Sequence, residues 1–218
     1  MLWHKVQGAG GLVVAGGGGP SIIQYAVGGL SSDPSVTTPS GLSNGNLLVF
    51  TGAIAANSWD QLDTDLSNQG LTLQSTFEDS SQATNPSVFI ATRVINGSEA
   101  SSYSLTESAD GRVVLMEVSG TLDVCGVSGK DASALTYNIS SITTTGANRL
   151  LIAVGGIGNN DTLTMPTGMT ELFNTSSDNL DPTIAVAYEA VGSGATGTRQ
   201  ISRTSSTGGL GGVMFAVY

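Results

Sequence analysis

The densest group of residues that could bind a metal ion is a short acidic run near residue 60. Asp60, Asp63 and Asp65, followed by Asn68, place several hard oxygen ligands within nine residues, and calcium prefers such ligands. The run lacks the regular alternation and the terminal glutamate of an EF-hand loop. A polar helix or loop face accounts for the same residues without an ion. We therefore predict no metal site and no cofactor, and keep calcium binding by this run as the alternative.

Motifs for catalysis are equally weak. Residues 192–197 (GSGATG) fit the pattern G-x-G-x-x-G. A dinucleotide site needs that pattern between a strand and a helix, whereas here it joins two predicted antiparallel strands, so we predict a glycine-rich hairpin. The single histidine, His4, is remote from any ordered serine, and no G-x-S-x-G elbow exists. A glycosidase would need two carboxylates and an aromatic sugar site, yet Trp59 is the only tryptophan after Trp3. We predict that the protein is not an enzyme.

An internal repeat indicates which elements position the polar residues. Residues 85–94 (NPSVFIATRV) return as residues 181–190 (DPTIAVAYEA), and each copy starts with an Asx-Pro turn and continues with β-branched and apolar residues. Both copies are predicted strands. Four further pairs of segments match in the same order: 36–50 with 142–154, 71–75 with 169–173, 104–108 with 200–204, and 113–118 with 213–218.

Composition agrees with an all-β chain, because only 11% of the 218 residues are charged and 30 are glycine. Further strands are predicted at 21–27, 47–51, 71–77, 103–106 and 112–118, and residues 213–218 fix the C-terminus within the fold. Trp59, Leu62 and Leu66 have helical spacing, which predicts one short helix that covers an open end of the sheets.

Each repeat offers too little apolar surface to fold alone, so we expect one sandwich instead of two domains. The predicted fold is an all-β, jelly-roll-like antiparallel sandwich built from two pseudo-repeated Greek-key halves, with core residues on both inner faces. The halves are residues 21–120 and 136–218, and residues 121–135 connect them.

Residues 1–20 differ from the body in being rich in glycine while carrying apolar residues. A solvated linker has no use for large hydrophobic side chains, so we interpret this segment as a flexible arm that docks on a partner, with an ordinary disordered tail as the alternative. The anchors of this docking arm would be Leu2, Trp3, Leu12, Val13 and Val14.

Net charge limits the range of partners. The chain carries −10, and its seven basic residues form no cluster, which argues against nucleic acid. No apolar run approaches the ~18 residues that a bilayer span needs, so no membrane association is predicted. A single cysteine, Cys125, is expected to be a buried and unreactive thiol.

Two loops remain as a candidate binding surface. Residues 159–161 (NND) occupy the place in the second half that the acidic run occupies in the first, and they have the composition of a turn. Both loops would lie at the same end of a symmetric sandwich, where binding residues often collect. The candidate residues are Trp59, Asp60, Asn159 and Asn160.

The pattern of strand ends and turns over residues 21–218 resembles a β-sandwich module found in tailed-phage virion proteins, including capsid-decorating (cement) proteins and tail or fibre proteins. Members often have Gly-Asp-Leu-Leu where residues 45–48 of this chain are Gly-Asn-Leu-Leu. The segments that carry the resemblance are 35–39 (SVTTP), 45–50 (GNLLVF), 85–94, 143–152 (TTTGANRLLI), 165–171 (MPTGMTE) and 211–217 (GGVMFAV).

The resemblance implies a structural or binding role in a virion and brings no catalytic residues. We expect an outer-capsid cement protein, located on the exterior of the capsid or on the tail, whose arm latches onto the major capsid protein or other virion proteins. Closed symmetry is usual for homo-oligomers, and a trimer would suit a shell. The alternative is a glycan- or receptor-binding module of a phage tail fibre or a secreted adhesin.

Overall fold

A computed structural model describes residues 9–10, 18–29, 33–54, 61–77, 87–106, 110–126, 129–131, 134–178, 182–205 and 209–218. The elements of the first half are β1 (Ala9–Gly10), β2 (Ile22–Val27), β3 (Ser35–Thr37), β4 (Leu47–Ile54), α1 (Leu62–Asn68), β5 (Thr72–Phe77), β6 (Ser87–Val94), β7 (Ser102–Ser104) and β8 (Gly111–Val118).

The second half contains eleven further strands and a 3₁₀ turn at Thr175–Asp178. Its strands are β9 (Leu122–Cys125), β10 (Gly129–Asp131), β11 (Thr136–Ile139), β12 (Thr143–Thr144), β13 (Arg149–Ile157), β14 (Leu163–Thr164), β15 (Thr170–Asn174), β16 (Thr183–Val191), β17 (Gly194–Ala195), β18 (Arg199–Arg203) and β19 (Leu210–Val217). Within the described part of the chain, no helix combines the length and the hydrophobicity that crossing a membrane requires.

Each half forms one central antiparallel sheet, which confirms the predicted all-β sandwich of two related halves. The first has the order β1-β2-β8-β4-β6-β5 and the second β10-β19-β13-β16-β15, with β9 also paired to β19. The halves correspond in register: Leu47 lies opposite Val94 and Val118, just as Leu150 lies opposite Ala190 and Val217. The two segments that share an Asx-Pro start thus form β6 and β16, at equivalent places in their sheets.

The order within each half departs in one respect from a Greek key of consecutive hairpins. Because β4 and β5 are both antiparallel to β6, they run parallel to each other, and the chain between them crosses over β6. Helix α1 belongs to this crossing, and its buried Leu62 and Leu66 pack on the outer face of the first sheet. The helix therefore covers a face of the sheet, and the prediction that it covers an open end is wrong.

Both central sheets are buried on both faces, because each has an outer layer of its own. The inner cluster joins the two sheets through residues such as Val49 and Ile152. The outer cluster of the first half, which includes Phe50, lies under α1 and the β3–β7 pair, and that of the second half, which includes Leu151, lies under the sheet β11-β18-β14. Every residue of β4 is consequently buried. Sequence reasoning anticipated the inner faces but neither outer cluster.

Equivalent strand ends lie at the same end of the sandwich. Strand β4 contacts β13 and β6 contacts β19, while Tyr25 of β2 stacks on Phe173 of β15 with 5.2 Å between ring centroids. At the start of β13, the carbonyl of Asn148 lies beside Gly19, just ahead of β2. A twofold rotation about an axis parallel to the strands would produce these pairings.

Two connections differ from their predicted form. Residues 121–135, predicted to connect the halves, supply β9 and β10, which pair with the open edge of β19 as β2 pairs with β8. Residues 192–197 are not a hairpin between paired neighbours: β16 and β18 belong to different sheets, and β17 pairs with β12 between them. Gly194 (φ 108°) and Gly197 (φ 73°) there adopt left-handed conformations that suit glycine.

In the N-terminal arm, Ala9–Gly10 extends the first sheet beside β2.

Candidate functional site

The structure describes only part of the predicted binding residues. Asn159 and Asn160 lie in the loop after β13, at the end of the sandwich where β4 also finishes. The other members of the predicted surface and of the docking arm lie outside the described residues: Trp59, Asp60, Leu2, Trp3, Leu12, Val13 and Val14. The grouping of Trp59 with Asn159 therefore stays a prediction.

Asp161 organises the loop that contains Asn159 and Asn160. Its carboxylate accepts hydrogen bonds from the backbone N–H of Thr162 (2.7 Å), the backbone N–H of Ser205 (2.6 Å) and the hydroxyl of Thr204. These bonds tie the loop to the chain that leaves β18. Asp161 is thus engaged as an acceptor within the protein, and a charged acceptor of several donors is among the stronger hydrogen-bonding arrangements.

The two asparagines play different parts in this loop. The backbone N–H of Asp161 donates to the side-chain oxygen of Asn159 (3.3 Å), and the carbonyl of Asn159 accepts from the backbone N–H of Thr183 (3.2 Å). Asn159 is half-buried and contributes to the turn, as its sequence predicted, whereas Asn160 is exposed. Asn160 is therefore the more accessible member of the pair for contact with a ligand or partner.

A second polar group stabilises the same end of the second half. The Asn174 amide donates to the carbonyl of Leu163 (2.7 Å), and Ser176 donates to the Asn174 side-chain oxygen through its N–H (3.0 Å) and its hydroxyl (2.5 Å). The Thr175 hydroxyl donates a hydrogen bond to the carbonyl of Ile184 (3.1 Å) and accepts one from the backbone N–H of Ile184 (2.9 Å). These bonds fix the backbone around the loop of Asn160, so that this loop presents a pre-organised surface.

The acidic run near residue 60 is arranged as a helix face where the structure describes it. Asp63 is exposed near the start of α1, and Asp65 accepts the backbone N–H of Thr106 at 2.5 Å. Residues two apart on a helix do not face each other, so these two carboxylates point in different directions. Among the described residues, no group of three or more acidic, histidine or cysteine side chains could hold a metal ion.

Glu117 is the most deeply buried carboxylate at the other end, near the start of β4. Its side chain is 0% exposed and accepts three hydrogen bonds, from the backbone N–H of Ser43 (2.9 Å), the Asn46 amide (2.6 Å) and the Gln24 amide (2.7 Å). The arrangement joins β8, β2 and the loop that enters β4. Nothing in the sequence reasoning selected Glu117, although a single charge within the apolar run 113–118 is a usable signal of a buried polar site.

Asp123 and Arg149 form an ion pair close to the junction of the two halves. The Nε of Arg149 lies 3.0 Å from the Asp123 carboxylate, which also accepts the backbone N–H of Thr145 (3.0 Å) and its hydroxyl. Burial raises the pKa of Asp123, but the hydrogen bonds from Thr145 and Arg149 outweigh it and lower this pKa below its ordinary value. The Arg149 guanidinium also lies 4.8 Å from the centroid of the Tyr218 ring.

Two further ion pairs occupy equivalent strand ends with reversed polarity. Arg93, near the end of β6, lies 3.6 Å from Glu99, and Glu189, at the equivalent place in β16, lies 2.6 Å from Arg199. Burial opposes ionisation of Glu99, but the backbone N–H groups of residues 96–97 and the charge of Arg93 lower its pKa overall.

Cys125 ends β9 and packs partly against the inner cluster. Desolvation by burial raises the pKa of its thiol to about 12, while the thiol donates to the carbonyl of Gly126 at 3.7 Å. A thiol with so high a pKa is almost entirely protonated at neutral pH and is a poor nucleophile.

Comparisons with known proteins identify no family for this chain. No protein-family model matches it, and no curated protein does either. Among solved structures, it is similar to a β-porphyranase of glycoside hydrolase family 86 from the human gut bacterium Bacteroides plebeius, with 12% identity and a TM-score of 0.23. The match covers 93% of this chain and 35% of the porphyranase chain. A likeness of that size carries no argument about fold or activity.

Proposed function

We propose that this chain is a non-enzymatic structural protein of a bacteriophage virion, and more specifically an outer-capsid decoration (cement) protein. The observation that carries the proposal is the arrangement of the segments that resemble virion modules. They include the central strands β4, β6, β13 and β19, which form a duplicated body held by three hydrophobic clusters. A body with this much buried surface on both faces of its sheets suits a protein that reinforces a shell.

The N-terminal arm supplies the attachment in this proposal. Ala9–Gly10 pairs with Tyr25 and Ala26 along the edge of the first sheet, so the arm starts from a defined place on the body. The apolar anchors that flank this pair, Trp3 and Val13 among them, would then reach the major capsid protein or a neighbouring virion protein. Docking of an extended segment on a protein surface is a common way to use such anchors.

The test is attachment to capsids. Full-length protein and a variant that lacks residues 1–8 are each incubated with capsids that lack the protein, and bound protein is measured by co-sedimentation and by electron microscopy. We expect the full-length chain to decorate the capsid exterior and the truncated chain to bind much more weakly. Failure of the full-length chain to bind capsids would refute the cement role. Equal binding by both chains would refute only the role of residues 1–8, which include the anchors Leu2 and Trp3.

A second candidate function is favoured by the loop after β13. Asn160 is exposed on a loop that Asp161 fixes in place, which is the form that a glycan- or receptor-binding surface of a tail fibre or adhesin would take. A glycan array distinguishes the two functions. Specific hits that Asn160→Ala or Trp59→Ala abolishes would favour the binding module, whereas an array without hits leaves the cement role as the better account.

A further inference from the structure

One end of the sandwich is poor in charge, although the chain as a whole is strongly acidic. We define the charge-poor end as residues 38–46, 95–101, 119–121, 145–148 and 192–198, the loops beside the start of β4 and β13. These 30 residues include one charged side chain, Glu99, and that side chain pairs with Arg93. The exposed residues there are serine, threonine, asparagine, glycine and alanine, all of them uncharged.

Charges on the strands that border this end are compensated locally. They form the pairs Arg93–Glu99, Arg149–Asp123 and Arg199–Glu189, and Glu117 is enclosed by three donors. These seven side chains carry four negative and three positive charges, a net of −1. Since the chain has 17 acidic and seven basic residues, the remaining 13 and four give −9 elsewhere. The charge-poor end is therefore nearly neutral on a protein of net charge −10.

Exposed hydrophobic side chains are concentrated at the same end. Of the three large hydrophobic side chains that are exposed in the described part of the chain, Val94 (53%) ends β6 and Tyr218 (53%) directly follows β19. Strands β6 and β19 face each other across the sandwich. The third, Leu135 (49%), lies at the opposite end, where its carbonyl accepts the backbone N–H of Arg203.

We propose that the charge-poor end is a self-association surface that binds a second copy of this chain. Two molecules of charge −10 repel each other, and the repulsion is least where the contacting surfaces are neutral. Interface cores are depleted in charge and enriched in tyrosine, and Tyr218 with Val94 provides that composition here. The proposal names the surface through which copies of this chain would form a homo-oligomer, and it does not depend on attachment to a capsid.

Analytical ultracentrifugation of the purified full-length chain tests this inference. We expect the weight-average mass to rise with protein concentration, and to rise further with salt, because the Debye length falls from ~30 Å at 0.01 M to ~8 Å at 0.15 M. Val94→Glu and Ser40→Glu place a like charge in the contact and should each weaken association by at least about tenfold. Leu135→Glu adds the same charge at a similarly exposed position and should leave association unchanged.

Two outcomes would overturn the inference. One is a wild-type chain that stays monomeric at every concentration and salt condition. The other is Leu135→Glu weakening association as much as Val94→Glu, which would indicate a general charge effect. Circular dichroism and thermal unfolding show whether each variant is folded, and Ser40→Glu, on an exposed loop, keeps the test valid if Val94→Glu unfolds. Capsid binding is scored separately, so failure here and failure of the cement role are distinguishable.

Discussion

Replacing Glu117 by alanine should be one of the most destabilising single changes in the protein. The substitution removes the acceptor of three hydrogen bonds, at 2.6, 2.7 and 2.9 Å, in a site that is 0% exposed. The Gln24 amide retains a second acceptor, the carbonyl of Ser40 at 3.3 Å, but the backbone N–H of Ser43 and the Asn46 amide lose theirs. A buried donor left without a partner costs ~1–3 kcal/mol. Ser43 is exposed and Asn46 is half-buried, so water can partly replace the lost acceptor, and these two donors together with the lost volume of Glu117 give ~2–4 kcal/mol of unfolding free energy.

Glu117→Gln tests the same reasoning with the shape retained. Its oxygen can still accept from Ser43 and Asn46, while its new NH₂ group faces the Gln24 amide, which can turn to present its own oxygen. The contribution of the negative charge and the 3.3 Å bond from the Gln24 NH₂ group to the Ser40 carbonyl are lost, so we expect a cost of ~1–2 kcal/mol. The matched control is Glu171→Gln, an exposed glutamate of β15 with one bond to Asn174 at 3.1 Å, for which we expect less than ~0.5 kcal/mol.

Equilibrium unfolding in urea, followed by circular dichroism, measures all three variants. If the slope with denaturant is unchanged, the shift in midpoint reports stability directly. The order of cost should be Glu117→Ala, then Glu117→Gln, then Glu171→Gln. A cost below ~1 kcal/mol for Glu117→Ala, or equal costs for the two Glu117 variants, would contradict the account of a buried, hydrogen-bonded carboxylate.

Three further predictions follow from contacts described above. Cys125, with a thiol pKa of about 12, should react with iodoacetamide far more slowly at pH 8 in the native than in the urea-unfolded chain; equal rates would be inconsistent with its burial. Gly52→Ala places a Cβ atom 2.7 Å from a backbone oxygen and should lower the free energy of unfolding by at least ~2 kcal/mol in the same urea assay. Gly155→Ala, at the equivalent position of the second half, places its Cβ 3.1 and 3.3 Å from two flexible side chains and should cost under ~1 kcal/mol. The native pKa of Asp123 is lowered, so its contribution to stability is complete above the unfolded pKa of ~3.9 and is lost as pH falls through the native pKa. Asp123→Asn should therefore make stability fall less steeply with decreasing pH. An unchanged acid limb of the pH–stability curve would argue against the ion pair of Asp123 with Arg149.

The repeated strands could be predicted because their signal is local. Residues 85–94 and 181–190 have β-branched and apolar composition between turn signals, and β6 and β16 occupy nearly those bounds. Leu62 and Leu66 likewise predicted α1. Local composition does not show on which face of a sheet a covering element lies, so the helix was assigned to the wrong part of the sandwich.

Non-local pairing was the part that the sequence did not reveal. Strands β9 and β10 are short and polar enough to resemble a loop, and they are strands because β19 offers an unpaired edge. Strand β4 is apolar throughout, so its pattern predicted burial but could not show that two separate clusters cover its two faces. The hydrogen bonds of Glu117 depend in the same way on Gln24 and Asn46, which are remote in sequence.

The burial of both faces of each central sheet has a consequence for how the chain reaches its native state. Since each half has an outer layer of its own, a half can collapse before the other is complete, and its remaining open face carries residues such as Val49, Ile90 and Val114. Either the partner half of the same chain or that of another chain can cover this face, because the halves share strand order and register. Refolding at high protein concentration therefore competes with exchange of halves between molecules, and the short segment Ser119-Gly-Thr121 between β8 and β9 is where the exchanging chains would cross.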